Sequence, residues 1–174
     1  MNKRVITGLD TKGKSAVLIQ DNIPERIDLG PVYLDEIWMD EPAQSNSNAS
    51  LEHSASEHKT LFPVAGSGGS AVRFVTFKAG DNCLINANGF DLGSLLANES
   101  NFHTTNTIDY IFILSGELEL VLESDNVLLK PGDVVVQRGT AHEWKVYGDT
   151  DVKAACVLVA SPSYQNIKDE HLDR

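Results

Sequence analysis

The strongest constraint on this chain is a rhythm. From residue 108 to residue 160 six short β-prone runs follow one another: IDYIFIL (108–114), SGELELVLES (115–124), NVLLK (126–130), DVVVQR (133–138), HEWKVY (142–147) and VKAACVLVA (152–160). Turn signals separate them, namely Ser-Gly, Ser-Asp-Asn, Pro-Gly-Asp, Gly-Thr and Gly-Asp. Strands arriving about every ten residues with such punctuation predict an all-β sandwich or barrel. A parallel α/β sheet does not fit, because each of its crossovers needs a dozen or more residues. Between Glu117 and Glu123, Leu118, Leu120 and Leu122 fall on one side of the strand and Glu117, Glu119 and Glu123 on the other. One face is therefore buried and one wet, and the glutamates read as a solvated face rather than as catalytic groups. DVVVQ, apolar on both faces, reads as a central strand.

Upstream the pattern loosens. RVIT (4–7) and SAVLIQ (15–20) flank a TKGK turn and predict a hairpin, and YLDEIWM (33–39) after Gly30-Pro31 predicts another strand. Residues 1–40 thus read as an N-terminal β extension. Residues 41–70, rich in Ser, Asn, Ala and Gly, read as a long polar loop with room for one short helix near LEHSASEH. His53 and His58 lie there five apart, share no helix face, and read as solvated loop histidines. A barrel is expected over 71–162, opening with the strand AVRFVTFKAG, in which Val72, Phe74 or Val75, and Phe77 alternate with polar residues. Residues 81–101 read either as an irregular loop or as one carrying a short helix around LGSLLAN. The tail from Ser161, residues 163–174 above all, is polar and expected to fray.

Charge narrows the partners. The chain holds 14 Lys and Arg against 25 Asp and Glu, a net charge of −11. Nucleic acid is not an expected partner for a surface of that sign. The first twenty residues lack the apolar core of a secretory signal, and no apolar run approaches the ~20 residues of a membrane helix. The expectation is a soluble, cytoplasmic domain with no membrane partner, in which Cys83 and Cys156 are reduced, partly buried thiols.

Three ionisable side chains sit where a barrel needs a reason to hold them. His103 precedes Asp109 by six residues, Asp109 opens an otherwise apolar strand, and His142 enters another strand after the Arg138-Gly139-Thr140 turn. Two imidazoles and a carboxylate can form a facial metal triad. They can equally perform acid–base catalysis without metal, and spacing alone does not choose.

The order of residues from His103-Thr-Thr-Asn-Thr-Ile-Asp109 to Gly116-Glu, followed by Leu-Lys-Pro131-Gly132-Asp-Val-Val-Val-Gln-Arg-Gly139-Thr-Ala-His142-Glu-Trp144, resembles the two conserved-barrel motifs of the cupin superfamily. The pieces VITG, EIW, VRFV and GDVVVQRGTAHEW are similar to a subgroup of small bacterial and fungal single-domain cupins of type 2. The resemblance implies a double-stranded β-helix, or jelly-roll barrel. Its mouth would hold a small ligand, commonly beside a divalent metal, in a homodimer. Carried over by position, Asp109 stands where the first motif has Glu, Thr105 where it has its second His, and His103 where it has its first; His142 matches the histidine of the second motif. The implied metal ligands are His103, Asp109 and His142, for Fe, Mn, Zn or Ni, with one imidazole lost to Thr105. A threonine hydroxyl is a poor ligand for these ions, so binding should be weakened.

The same three residues are the catalytic candidates. Without an ion, the two histidines would shuttle protons while Asp109 sets the imidazole tautomer. Trp144, two residues after His142, should face the same way and wall a substrate pocket, Thr105 should face inward, and Arg138 could meet a substrate carboxylate. Tyr110 should face away from Asp109 and pack on the N-terminal strands. The reading is an enzyme of small-molecule metabolism, of lyase or dehydratase, isomerase or oxygenase type. Its rival is a non-catalytic domain that binds or senses a small ligand.

Overall fold

Alternating side chains and glycine-marked turns fold the chain into an all-β jelly roll. The computed structural model describes residues 3–23, 25–40, 61–80 and 102–162, and these contain no helix. The helix expected near LEHSASEH, His53, His58, Cys83, the open reading of 81–101 and the tail 163–174 fall outside the described residues.

The strands are β1 (Lys3–Leu9), β2 (Ser15–Asn22), β3 (Glu25–Asp28), β4 (Val32–Asp40), β5 (Ser70–Phe77), β6 (Thr107–Ser115), β7 (Glu117–Leu122), β8 (Asn126–Leu129), β9 (Val134–Gln137), β10 (His142–Tyr147) and β11 (Val152–Ala160). β1 and β2 form the expected hairpin, with Leu9 opposite Ser15 and Lys3 opposite Asn22. One antiparallel sheet runs β3-β4-β5-β11-β6-β9 and a second runs β10-β7-β8. The N-terminal segment is therefore only partly an extension. β4 pairs with β5, Leu34 opposite Val75, and so belongs to the main sheet.

The period-two logic holds in detail. Leu118 and Leu120 are buried while Glu117 and Glu119 on the other face remain partly exposed. Ile113, Leu118, Val152 and Ala154 are almost inaccessible and join Leu129 and Leu158 in one apolar cluster. Each large side chain buried this way contributes roughly 1.5–3 kcal/mol of transfer free energy. The β6–β7 turn hinges on Gly116, whose φ is +76°. A Cβ there would sit 2.9 Å from the Asp151 carbonyl oxygen, so the turn can nest under the β10–β11 connection only without a side chain.

Four expectations are corrected. Among the described residues β9 is an edge strand, paired only with β6, and Val134 and Val136 are each 53% exposed. A doubly apolar run marks a strand whose second face is available for cover, and β9 offers that face outward. Tyr110 does not pack on the N-terminal strands. It stands between Val157 and Val136 on the outer face and is 40% exposed. In β5 the inward residues are Ala71, Arg73 and Val75, which brings a guanidinium into the core side of the sheet. Ser161 is held at both ends of its backbone, its N–H donating to the Asn106 carbonyl and its own carbonyl accepting from Gly66 N–H.

Candidate functional site

The pleat of β6 carries the site. Thr107, Asp109, Ile111 and Ile113 point inward, and Thr105, two residues before the strand, continues the same face. Across the barrel, β10 presents His142 and Trp144 from the second sheet. His103 is pinned to His142 by a bridge in which each residue's N–H donates to the other's carbonyl, 2.9 Å both ways. Their ring centroids are consequently 4.3 Å apart, inclined at 51°. The Trp144 indole meets the His142 ring edge-on at 5.6 Å, as the shared face of alternate residues requires.

These groups border one cavity of about 120 Å³ between the sheets. His103, Thr105, Asp109, His142 and Trp144 all line it, so the structure brings five of the six expected site residues together. The sixth is corrected. Arg138 is exposed and off the cavity, because the pleat of β9 turns Gln137 inward instead. Most of the remaining wall is apolar, contributed by Leu34, Leu61, Phe62 and Phe77 among others.

Gln137 was not foreseen as a site residue, yet it organises the turn below His142. Its Nε2 donates to the Thr140 carbonyl at 2.7 Å and to the Thr140 hydroxyl at 2.8 Å. His142 Nδ1 lies 2.8 Å from the same carbonyl. A carbonyl only accepts, so Nδ1 carries the proton and Nε2 the lone pair, and the 2.9 Å approach of Gln137 Nε2 to Nδ1 is packing between two donors. The tautomer is thus set by Thr140 and not by Asp109. Gly139 lets the turn approach this closely. With φ at +71°, a Cβ on it would lie 2.5 Å from the Thr105 carbonyl oxygen.

Electrostatics differentiate the groups. Burial, reinforced by the charge of His103 and opposed by the bond to Thr140, pushes His142 down to about 3, so it is neutral at pH 7. Burial pushes Asp109 up to about 6, against the Thr107 hydroxyl and the Arg73 charge, which both pull it down. Cys156, a free buried thiol on the cavity wall, is pushed up to about 12 by burial and is inert as a nucleophile. Behind Asp109 lies a pair that sequence reading missed. Arg73 Nε stands 2.9 Å from Glu36 Oε1, both side chains almost inaccessible, and Arg73 Nη2 donates to the Leu61 carbonyl. The sequence signal was present, because Arg73 keeps register with inward Ala71 and Val75.

A divalent ion can be tested against these donors. Among the described residues no three His, Cys, Asp or Glu side chains gather closely enough to hold one. The two imidazoles meet but the Asp109 carboxylate does not close the set, and the position of a further imidazole is Thr105. The described donors do not fit the expected three-ligand centre.

Comparison with known proteins agrees with the fold. Residues 96–158 match the family model for the cupin domain. The phomopsin biosynthesis cluster protein C' of Diaporthe leptostromiformis is 54% identical over 48 residues, 27% of this chain and 25% of that one. A cupin-domain-containing oxidoreductase, srdD, of Neurospora crassa is 29% identical over 149 residues, 81% of this chain and 64% of that one. The chain therefore spans a quarter to two thirds of the length of these relatives. Among solved structures, the Schizosaccharomyces pombe Cnp3 cupin domain superposes with a TM-score of 0.50 at 14% identity, covering 92% of this chain and 88% of that one.

Proposed function

The chain belongs to the cupin superfamily, and from that premise we propose that its barrel cavity is the active site of a small-molecule enzyme that transfers protons, an isomerase or lyase. The observation that carries this reading is Asp109: a carboxyl buried in a largely apolar cavity and raised to about 6, with two clamped imidazoles lining the same cavity. A group titrating near the working pH both takes and returns a proton efficiently. Asp109 removes a proton from a carbon next to a substrate carbonyl, and that carbon's electron pair moves into the carbonyl to give an enol or enolate. Return of the proton at a different carbon completes an isomerisation; loss of a leaving group completes an elimination. His142, neutral and fixed by Thr140, keeps its Nε2 lone pair for a substrate hydroxyl. The apolar wall excludes water, which strengthens each of these contacts.

The reading is tested by incubating the protein in D2O with a panel of small aryl and alkyl ketones. Deuterium should enter next to the carbonyl in at least one of them, and Asp109→Asn should abolish the exchange. Absence of exchange throughout the panel, or exchange unchanged in the variant, would overturn it.

A second reading rests on the Neurospora relative, whose name makes it an oxidoreductase. Redox chemistry here would require donors beyond the described set to complete a centre around His103 and His142.

The expected homodimer has its own support. Tyr110, Phe112 and Leu114 of β6 and Val134 and Val136 of β9 form a contiguous exposed apolar face beside β9, which is an edge strand among the described residues. The β1–β2 hairpin adds the basic residues Lys3, Lys12 and Lys14 to a chain of net −11, its Arg4 and Asp21 being paired with each other. A second copy is the partner this combination fits.

A further inference from the structure

The cavity holds two polar atoms that the protein leaves without a hydrogen-bond partner among the described residues, Thr105 Oγ1 and Asp109 Oδ1. Both residues are more than nine-tenths buried, Thr105 at 8% and Asp109 at 6% exposure, and both line the cavity. A buried polar atom left without a partner is destabilising. The barrel tolerates both on one inward face, four residues apart with Thr107 between them, at two positions that stand for ligands in the first motif of the resemblance. From this we infer that Thr105 and Asp109 are the recognition points of the cavity for a neutral hydroxyl or carbonyl on an otherwise apolar ligand.

Three features fix the ligand class. The cavity of about 120 Å³ is comparable to the ~150 Å³ engineered cavities that take up benzene, so it encloses a body of roughly six to eight non-hydrogen atoms. The wall around that body is apolar or aromatic, from Leu34, Leu61, Phe62, Phe77 and Trp144. The guanidinium of the described wall, Arg73, is already committed to Glu36 and to the Leu61 carbonyl. A carboxylate ligand would thus face the like charge of Asp109 without help from Arg73, whereas a hydroxyl can accept from Thr105 or donate to Asp109. A phenol or a short hydroxylated ring fits; benzoate and toluene each fail one requirement.

The inference deepens the proposed active site and rests on the same cavity, but its test is a binding measurement that needs no turnover. Phenol, toluene and benzoate are titrated separately into the full chain at pH 7, followed by protein-observed NMR. Phenol is expected to bind about ten-fold more tightly than toluene, with benzoate weaker than either. In Thr105→Val, nearly isosteric with the native residue, that preference should shrink by several-fold while toluene affinity holds. Equal affinities for phenol and toluene, preference for benzoate, or an unchanged preference in Thr105→Val would overturn these recognition points. Binding of phenol without ketone exchange would retain them and remove the proton-transfer reading; exchange without the preference would do the reverse.

Discussion

His103 and His142 exchange both of their backbone hydrogen bonds, and this single bridge sets two imidazoles 4.3 Å apart on a cavity wall. The rings come from segments 39 residues apart, one before β6 and one opening β10, so their meeting is a property of barrel closure. Because the clamp is made by main chain, the imidazoles can be removed without undoing it.

That independence allows a clean test of metal binding. Protein purified without chelators and without nickel affinity is expected to carry the same metal content as a His103→Ala, His142→Ala double variant, by elemental analysis. Stoichiometric metal in the native chain that disappears from the variant would restore the ion-centred reading.

The pH dependence of stability separates Asp109 from His142. Asp109 has its folded pKa raised from 3.8 to about 6, so the folded chain keeps a proton that the unfolded chain releases, and stability falls as pH rises through that window. His142 has its folded pKa lowered from 6.5 to about 3, so its contribution runs the other way: stability rises from about pH 3 to pH 6.5. Among the described residues, Arg73, Glu36, Cys156 and the two histidines are the other ionisable groups on or behind the wall that holds Asp109. Asp109→Asn removes only the falling component. Urea unfolding at pH 4, 5, 6 and 7 should show the variant gaining on the native chain by on the order of 2–3 kcal/mol across the series. Parallel curves would contradict the raised pKa.

The buried ion pair is expected to behave as a unit. Arg73→Met removes the guanidinium facing the buried Glu36 carboxylate and should cost about 3–5 kcal/mol, while adding Glu36→Leu should recover much of the loss. A double-mutant cycle by chemical denaturation reads the coupling directly, and additive losses would refute it.

Gly139→Ala should destabilise by roughly 1–3 kcal/mol, since it combines a positive φ with a Cβ driven against the Thr105 carbonyl. Gly148→Ala provides the comparison. Its φ is +93°, but a Cβ there meets nothing within 4 Å, so it bears the backbone strain alone. Phenol binding should weaken in the first variant and persist in the second.

Phe112→Glu places a charge at the centre of the outer apolar face and is expected to leave a folded monomer. Sedimentation velocity of native chain and variant checks this, and a native chain that sediments as a monomer would remove the dimer.

Much of this was legible in the residues. The ten-residue rhythm predicts the strands after 107, and the motif order places His103, Thr105, Asp109, His142 and Trp144 on one cavity. What escaped was set by partners rather than by pattern. Val134 and Val136 are apolar whether a strand is central or at an edge, and only the sheet order decides which. Arg138 and Gln137 are adjacent, so a one-residue choice of pleat decides which of them faces inward. Arg73 and Glu36 lie in strands that read as ordinary apolar runs, and their charges make sense only once β4 and β5 are paired and Glu36 is seen opposite Arg73.

The cavity wall has a divided origin. His103, Asp109 and His142 all lie inside the stretch 96–158, whereas Leu29, Leu34, Leu61 and Phe62 come from earlier in the chain. The polar groups of the cavity and much of its apolar wall are therefore written in separate parts of the sequence. Substitutions before residue 63 can reshape what the cavity admits while His103, Asp109 and His142 stay in place, so one barrel could be refitted to a new ligand from the earlier part of its chain alone.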